Sequence, residues 1–193
     1  MLVEVQEFGD YKLLGKTRDD ATGEAFDKVA KVMGLGYPGG AQVDRLAQQG
    51  NSQFHRFPRA TLPEPYTFSF SGLKTSVAQY IDKLTDEQFI AQKADIAASF
   101  QEAVVQVLVE KTVRAAQETQ VRDVTISGGV AANSRLRIAM AEQLARVNKR
   151  FFFPRPSLCT DNAAMIAAAG YYRFKRYGAG ELAVDAVPYL ILE

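Results

Sequence analysis

Several positions carry side chains or bare backbone that could do chemistry. Glu24 and Asp27 stand three apart after Gly23, so a helix sets them on neighbouring positions of one face. Two carboxylates placed this way can grip ribose hydroxyls or a metal-bound water. Acidic residues near a helix N-terminus also stabilise it unaided, and taken alone that role accounts for the pair. Gly36-Tyr37-Pro38-Gly39-Gly40 reads as the stop signal of that helix, and its glycines allow a ligand close to the backbone. Asp44 follows in the early turns of a short helix expected from Val43 to Gln49. Ser127-Gly128-Gly129 lies between a β-branched strand and an amphipathic helix. There, unpaired N–H groups and the positive end of the helix dipole suit a phosphate. An ordinary βα turn with a Ser-Gly-Gly cap reads equally well. Asp161 opens a small-residue helix, either as its cap or as a carboxylate for a metal or substrate.

The elements that must position these residues follow from periodicity and breakers. Met1 to Thr17 reads as a hairpin turning at Phe8-Gly9-Asp10. A helix over 18–33, capped by Asp20 or Thr22, carries Glu24 and Asp27. Residues 51–66 form a proline-interrupted loop with the only histidine, His55, which reads as solvated; Arg56 and Arg59 make this loop locally basic, a hint of phosphate or RNA contact. Phe68 and Phe70 alternate with Thr67, Ser69 and Ser71 as a half-buried strand. Ser71-Gly72 then opens a helix whose Lys74 could reach an anion, although the spacing is not that of a Walker A loop. A helix over 86–119, free of Gly and Pro, is structural. A short strand follows at 150–153, then a helix capped by Thr160 or Asp161 and running to about Arg176. In that helix Ala163, Ala164, Ala167, Ala168 and Gly170 allow close packing, with Tyr171, Tyr172, Phe174 and Tyr177 as core and rim. The tail 187–192 is strand-like. Glycine-bearing junctions repeated at strand ends describe an α/β domain with a ligand cleft at one sheet edge.

Composition bounds the remaining choices. Apolar residues are 47% and charged residues 23%, ordinary for a chain that buries a core. A net charge of +1 is no nucleic-acid signature, so any RNA contact relies on a local patch. The single cysteine, Cys159, excludes an intramolecular disulfide and fits a reducing compartment. No apolar run reaches membrane-spanning length and no signal-peptide pattern opens the chain, so a cytoplasmic location and no membrane partner are expected.

Five motifs taken together resemble the bacterial TsaD family, the tRNA adenosine N6-threonylcarbamoyltransferases. They are the segments 19–28 (DDATGEAFDK), 36–40 (GYPGG), 68–75 (FSFSGLKT), 127–133 (SGGVAAN) and 159–167 (CTDNAAMIA). The resemblance implies an actin-like ATPase fold, two ribonuclease-H-like lobes around a nucleotide cleft. It implies transfer of a threonylcarbamoyl group from threonylcarbamoyl-AMP to N6 of adenosine 37 in tRNAs reading ANN codons. By the same resemblance Asp27, Gly40, Asp44 and Asn133 contact substrate. Glu24, Gly128 and Gly129 face the nucleotide (threonylcarbamoyl-AMP, or ATP or ADP), and Asp161 ligates a divalent metal, iron or zinc. The implied partners are tRNA, an inactive paralogue and a P-loop ATPase subunit.

The family also carries a His-x-x-x-His pair and a Ser-Gly-Gly-His loop ahead of the region matched here. This chain has neither, and His55 lies in another motif. The expectation is therefore a C-terminal portion of the two-lobed fold, residues 1–17 being remnant strands of the N-terminal lobe. Such a chain would bind metal weakly, would not complete the transfer alone, and would seek a separate N-terminal half or a homodimeric partner. The alternatives are a non-catalytic scaffold binding a partner in the same complex, and a generic ATPase or kinase of the superfamily. A scaffold would show eroded site residues, and the ATPase reading is opposed by the two family signatures at 23–28 and 68–74. No Ser-His-Asp set or His-Glu-x-x-His motif supports a protease.

Overall fold

In this computed structural model the described residues are 1–181, 183 and 185; the strand-like tail 187–192 lies outside them. Strands β1 (Leu2–Glu7) and β2 (Asp10–Gly15) form the antiparallel hairpin that the sequence predicts. Helices α1 (Thr22–Val32), α2 (Gly39–Ala47), α3 (Ser71–Ile81) and α4 (Asp86–Glu118) follow. Strand β3 (Asp123–Thr125) leads through a 3-10 turn, Gly129–Ala132, into α5 (Ser134–Arg146) and strand β4 (Arg150–Phe152). Helix α6 (Ala163–Tyr177) closes the described fold. Strands β3 and β4 are parallel, Val124 opposite Phe151, with α5 as the crossover that parallel pairing requires. The architecture is mixed α/β.

The 33-residue helix α4 is the spine, about 50 Å long at the usual rise. Thr85 caps it, its Oγ1 accepting from Gln88 N while Gln88 Oε1 accepts from Thr85 N, and no Gly or Pro interrupts it. Its middle, from Ile96 to Val107, packs into a core with Phe26 and Val29 of α1, Val43 of α2, Val77 of α3, and Phe57 and Phe70 of the segment before α3. Phe26 and Phe100 meet edge to face at 5.2 Å. Farther along, Val105, Val109 and Ala116 turn to a second cluster with Val124 and with Leu136, Met140 and Leu144 of α5. A helix that serves two cores reads as apolar on more than one face, as this one does in sequence.

Several expectations are corrected. The strand over 67–71 reduces to one parallel bridge between Thr17 and Phe68, because α3 begins at Ser71 and leaves no room for a ladder. Asp19 fixes that start: its Oδ1 accepts from Phe70 N at 2.8 Å and Ser71 N at 3.3 Å. Neither Asp20 nor Thr22 caps α1. Instead Glu24 Oε2 accepts from Ala21 N at 3.4 Å, and Asp20 pairs with Lys28 and Lys74 at 2.6 and 2.8 Å. The anion within reach of Lys74 is thus Asp20. Helix α2 starts at Gly39 and not at Val43, since Asp27 Oδ1 takes Gly39 N–H at 2.8 Å and caps it from outside.

His55 is not a solvated side chain: its ring packs on Phe57 and Tyr80 at 4.5 and 4.4 Å between centroids. Asn162 caps α6 in place of Thr160 or Asp161, accepting from Met165 N at 3.1 Å. Among the described residues helix α6 has no buried residue, so its alanines do not form a packed face there and Tyr171, Tyr172, Phe174 and Tyr177 are exposed. It rests on the hairpin tip through Phe8 against Tyr172 (5.5 Å) and Glu7 with Arg176 (2.7 Å).

Candidate nucleotide site

Among the described residues each sheet has two strands, and the edges of β1 and β3 line one cleft of about 660 Å³. The start of α1 (Ala21–Gly23) and the turn Ser127–Ala131 also line it. A β-carbon on Gly23 would lie 3.7 Å from Val130 Cγ2, so the helix start abuts the turn. Gly128 has φ +84°, the left-handed region that glycine adopts without penalty. The helix does not begin at the Ser-Gly-Gly turn. A 3-10 turn intervenes and α5 starts at Ser134, where Asn133 Oδ1 caps it by accepting from Leu136 N at 2.9 Å. Gly128 and Gly129 therefore offer an open loop, and the dipole end of α5 lies at Asn133.

That helix end already meets a carboxylate. Asp44 Oδ1 accepts from Ser134 Oγ at 2.8 Å and Oδ2 from Ser134 N at 3.2 Å, joining α2 to α5 across 90 residues. Asn133 is 6% exposed and its Nδ2 donates to Gln101 Oε1 at 2.7 Å. Asp27, by capping α2, stands beside Gly39 and Gly40. Gly39 is there because a β-carbon would sit 2.6 Å from Ala30 Cβ and 2.7 Å from Asp27 Cα. Gly40 meets nothing nearer than Phe26 Cβ at 3.9 Å, and so its backbone is open to a ligand. Asp27, Gly40, Asp44 and Asn133 thus share the α1–α2–α5 junction, while Gly128 and Gly129 face the cleft one turn away.

Glu24 is exposed and pairs with Lys28 at 2.6 Å. Lys28 joins Glu24 to Asp20, and these carboxylates raise the Lys28 ammonium well above its ordinary range. The hydrogen bonds from Lys28 and then Lys74 lower the Asp20 carboxyl. At Asp19 burial pushes upward, but the Ser69 hydroxyl and the N–H groups of Phe70 and Ser71 outweigh it and the carboxyl is lowered.

Asp161 is exposed, and no grouping of three or more His, Cys, Asp or Glu exists among the described residues. One carboxylate supplies a single oxygen to a metal that wants imidazole or thiolate company, so these residues alone do not fit an iron or zinc site. Cys159, two residues earlier, is buried and accepts from Arg137 Nη2 at 3.3 Å.

Sequence reasoning missed the residues that hold the junction together: Ser134, Gln101 and Arg137. Arg137 donates to the carbonyls of Ala131 and Pro154, at 2.5 and 3.0 Å, as well as to Cys159, and so ties the turn to the segment leading to Asp161. Gln101 carried no distinctive signal, since Ser99 and Glu102 beside it are also polar.

The sequence profile described as TsaD, tRNA N6-adenosine threonylcarbamoyltransferase, matches residues 1–168. The chain belongs to the TsaD family. The tRNA N6-adenosine threonylcarbamoyltransferase of Symbiobacterium thermophilum is 53% identical over 190 residues, 97% of this chain and 54% of that protein. The protein of that name from Clostridioides difficile is 49% identical over 192 residues, 98% of this chain and 56% of the relative. The chain spans about half the length of the curated TsaD relatives it matches. Among solved structures, the crystal structure of T. kodakarensis HypF superposes with a TM-score of 0.60 at 21% identity, covering 79% of this chain and 20% of HypF, a likeness of fold. No helix among the described residues is long and apolar enough to cross a membrane.

Proposed function

We propose that this chain is the C-terminal portion of a tRNA N6-threonylcarbamoyltransferase with an actin-like ATPase fold, residues 1–17 belonging to its other lobe. In that reaction the adenosine N6 amine attacks the carbamoyl carbon of threonylcarbamoyl-AMP. The new N–C bond forms, the bond from that carbon to the phosphate oxygen breaks, and AMP leaves with the electron pair while N6 gives up a proton. The observation that carries the reading is the α1–α2–α5 junction, where Asp27, Asp44 and Asn133 are each anchored by hydrogen bonds around the open backbone of Gly40.

Asp27 Oδ1 is fixed by Gly39 N–H, and Oδ2 makes no hydrogen bond among the described residues, so it can accept from a ribose hydroxyl without reorganising. Asn133 keeps a second N–H and a second lone pair for substrate. Glu24, Gly128 and Gly129 take the nucleotide's remaining contacts. Asp161 contributes one ligand to a divalent metal completed by residues outside this chain. The partners are tRNA and the paralogue and P-loop ATPase subunits of the modification complex.

A transfer assay with threonylcarbamoyl-AMP and unmodified tRNA tests this. The chain combined with a polypeptide carrying the rest of a relative's sequence should form threonylcarbamoyladenosine, and Asp27→Ala should remove that product. Stable assembly with no product under any combination would favour the scaffold reading instead.

A further inference from the structure

A second cavity, of about 610 Å³, lies between the proline-rich loop and the C-terminal half of α4, with Arg56, Arg59, Lys111 and Arg114 in its wall and Glu110 as its only carboxylate among the described residues. These cations differ in how far they are neutralised. Arg114 is paired with Glu118 at 2.7 Å. Lys111 donates to the neutral Pro65 carbonyl at 3.0 Å and keeps its charge. Neither Arg56 nor Arg59 is in an ion pair among the described residues. Arg59 Nε is shut off from solvent with no hydrogen-bond partner among the described residues, a buried donor left unsatisfied. Glu102 attracts Arg59 through space but makes no hydrogen bond or ion pair with it among the described residues, being committed to Arg135 through two hydrogen bonds at 2.7 and 3.2 Å.

The loop that presents the arginines is held in place. Phe57 is 1% exposed, His55 N donates to Ser99 Oγ at 3.1 Å, and Pro58, Pro63 and Pro65 restrict the backbone. Lys111 and Arg114 are three apart on α4 and face the same way. Guanidinium forks carried on a held backbone beside an ammonium suit phosphate oxygens. The wall is not purely polar, for Pro58, Leu62 and Pro65 also line it. Its volume exceeds a lone phosphate and suits a phosphate with its sugar.

The geometry points to this cavity as a docking site for the phosphodiester backbone of RNA, outside the α1–α2–α5 junction. The choice of RNA over other polyanions rests on the proposed tRNA substrate. The site positions the RNA and reads no sequence, because phosphate contacts carry none.

The test is fluorescence anisotropy of a labelled tRNA transcript with the 193-residue chain across a salt series, with poly-glutamate as a second probe. Arg56→Gln and the pair Arg56→Gln with Lys111→Gln are compared with Arg146→Gln, an exposed cation on α5. The slope of log affinity against log salt should become shallower by about 1 for each cavity cation removed and stay unchanged in Arg146→Gln. Circular dichroism melts confirm that the variants fold. Binding of tRNA with the same slope in all variants, or an equal loss in Arg146→Gln, overturns the cavity and leaves the tRNA reading standing. Binding of poly-glutamate but not tRNA by the wild-type chain overturns both. Binding of neither overturns the cavity, and the transfer assay then decides the reading.

Discussion

Two adjacent glycines separate structure from function. At Gly39 a β-carbon would overlap Ala30 Cβ and Asp27 Cα at 2.6 and 2.7 Å, so Gly39→Ala should destabilise the fold by about 1–3 kcal/mol in urea unfolding. At Gly40 the nearest atom is 3.9 Å away, so Gly40→Ala should not lower the unfolding midpoint and should raise it slightly through helix propensity, and any loss of nucleotide binding there reports on the ligand. Asp27→Ala removes the cap of α2 and should cost about 1 kcal/mol by the same measurement. The sequence marked Asp27, Asp44 and Asn133 as chemically able but not as anchors. Those roles come largely from contacts 12, 90 and 32 residues away in the chain, and only the cap that Asn133 gives Leu136 N is local. The glycines were the reverse case: both were visible as ligand-permissive, yet only packing tells that Gly39 is spent on the approach of α1 to α2.

At the scale of elements, the knot of Asp19, Asp20, Lys28 and Lys74 ties α1 to α3 and should show in the acid limb of stability. The carboxyls of Asp19 and Asp20 are lowered from the ordinary value of 3.8. Their stabilisation is therefore full above 3.8 and is lost as pH falls through the lowered folded values. The melting temperature should hold between pH 7 and 5 and drop below about 3.8, with a flatter acid limb and a lower neutral melting temperature in Asp20→Asn. Helix α4 was legible almost to the residue because its capping box and unbroken helix-forming run act locally. The strand expected at 67–71 was not, because Phe68 and Phe70 alternate correctly but a strand also needs a partner, and Asp19 starts α3 first. Helix α6 was legible in extent and misread in packing. With no buried residue it should exchange its amides much faster than the middle of α4, a difference that hydrogen-exchange mass spectrometry reads directly.

At the scale of the whole molecule, the strand edges of β1 and β3 face one cleft, and apolar residues such as Val3, Leu14, Val124 and Ile126 line it. Among the described residues these edges carry no further strand, and an open edge with apolar neighbours accepts one or a second chain. That is consistent with a chain spanning about half the length of its TsaD relatives. The measurement that bears most directly on the account is calorimetric titration of a non-hydrolysable threonylcarbamoyl-AMP analogue. It would be run on the chain mixed with a polypeptide carrying the rest of a relative's sequence, and on the same mixture with Gly40→Leu. One analogue should bind per complex, with no heat in Gly40→Leu and the complex still assembled. Equal binding by the wild-type and Gly40→Leu mixtures would place the nucleotide elsewhere and contradict the site.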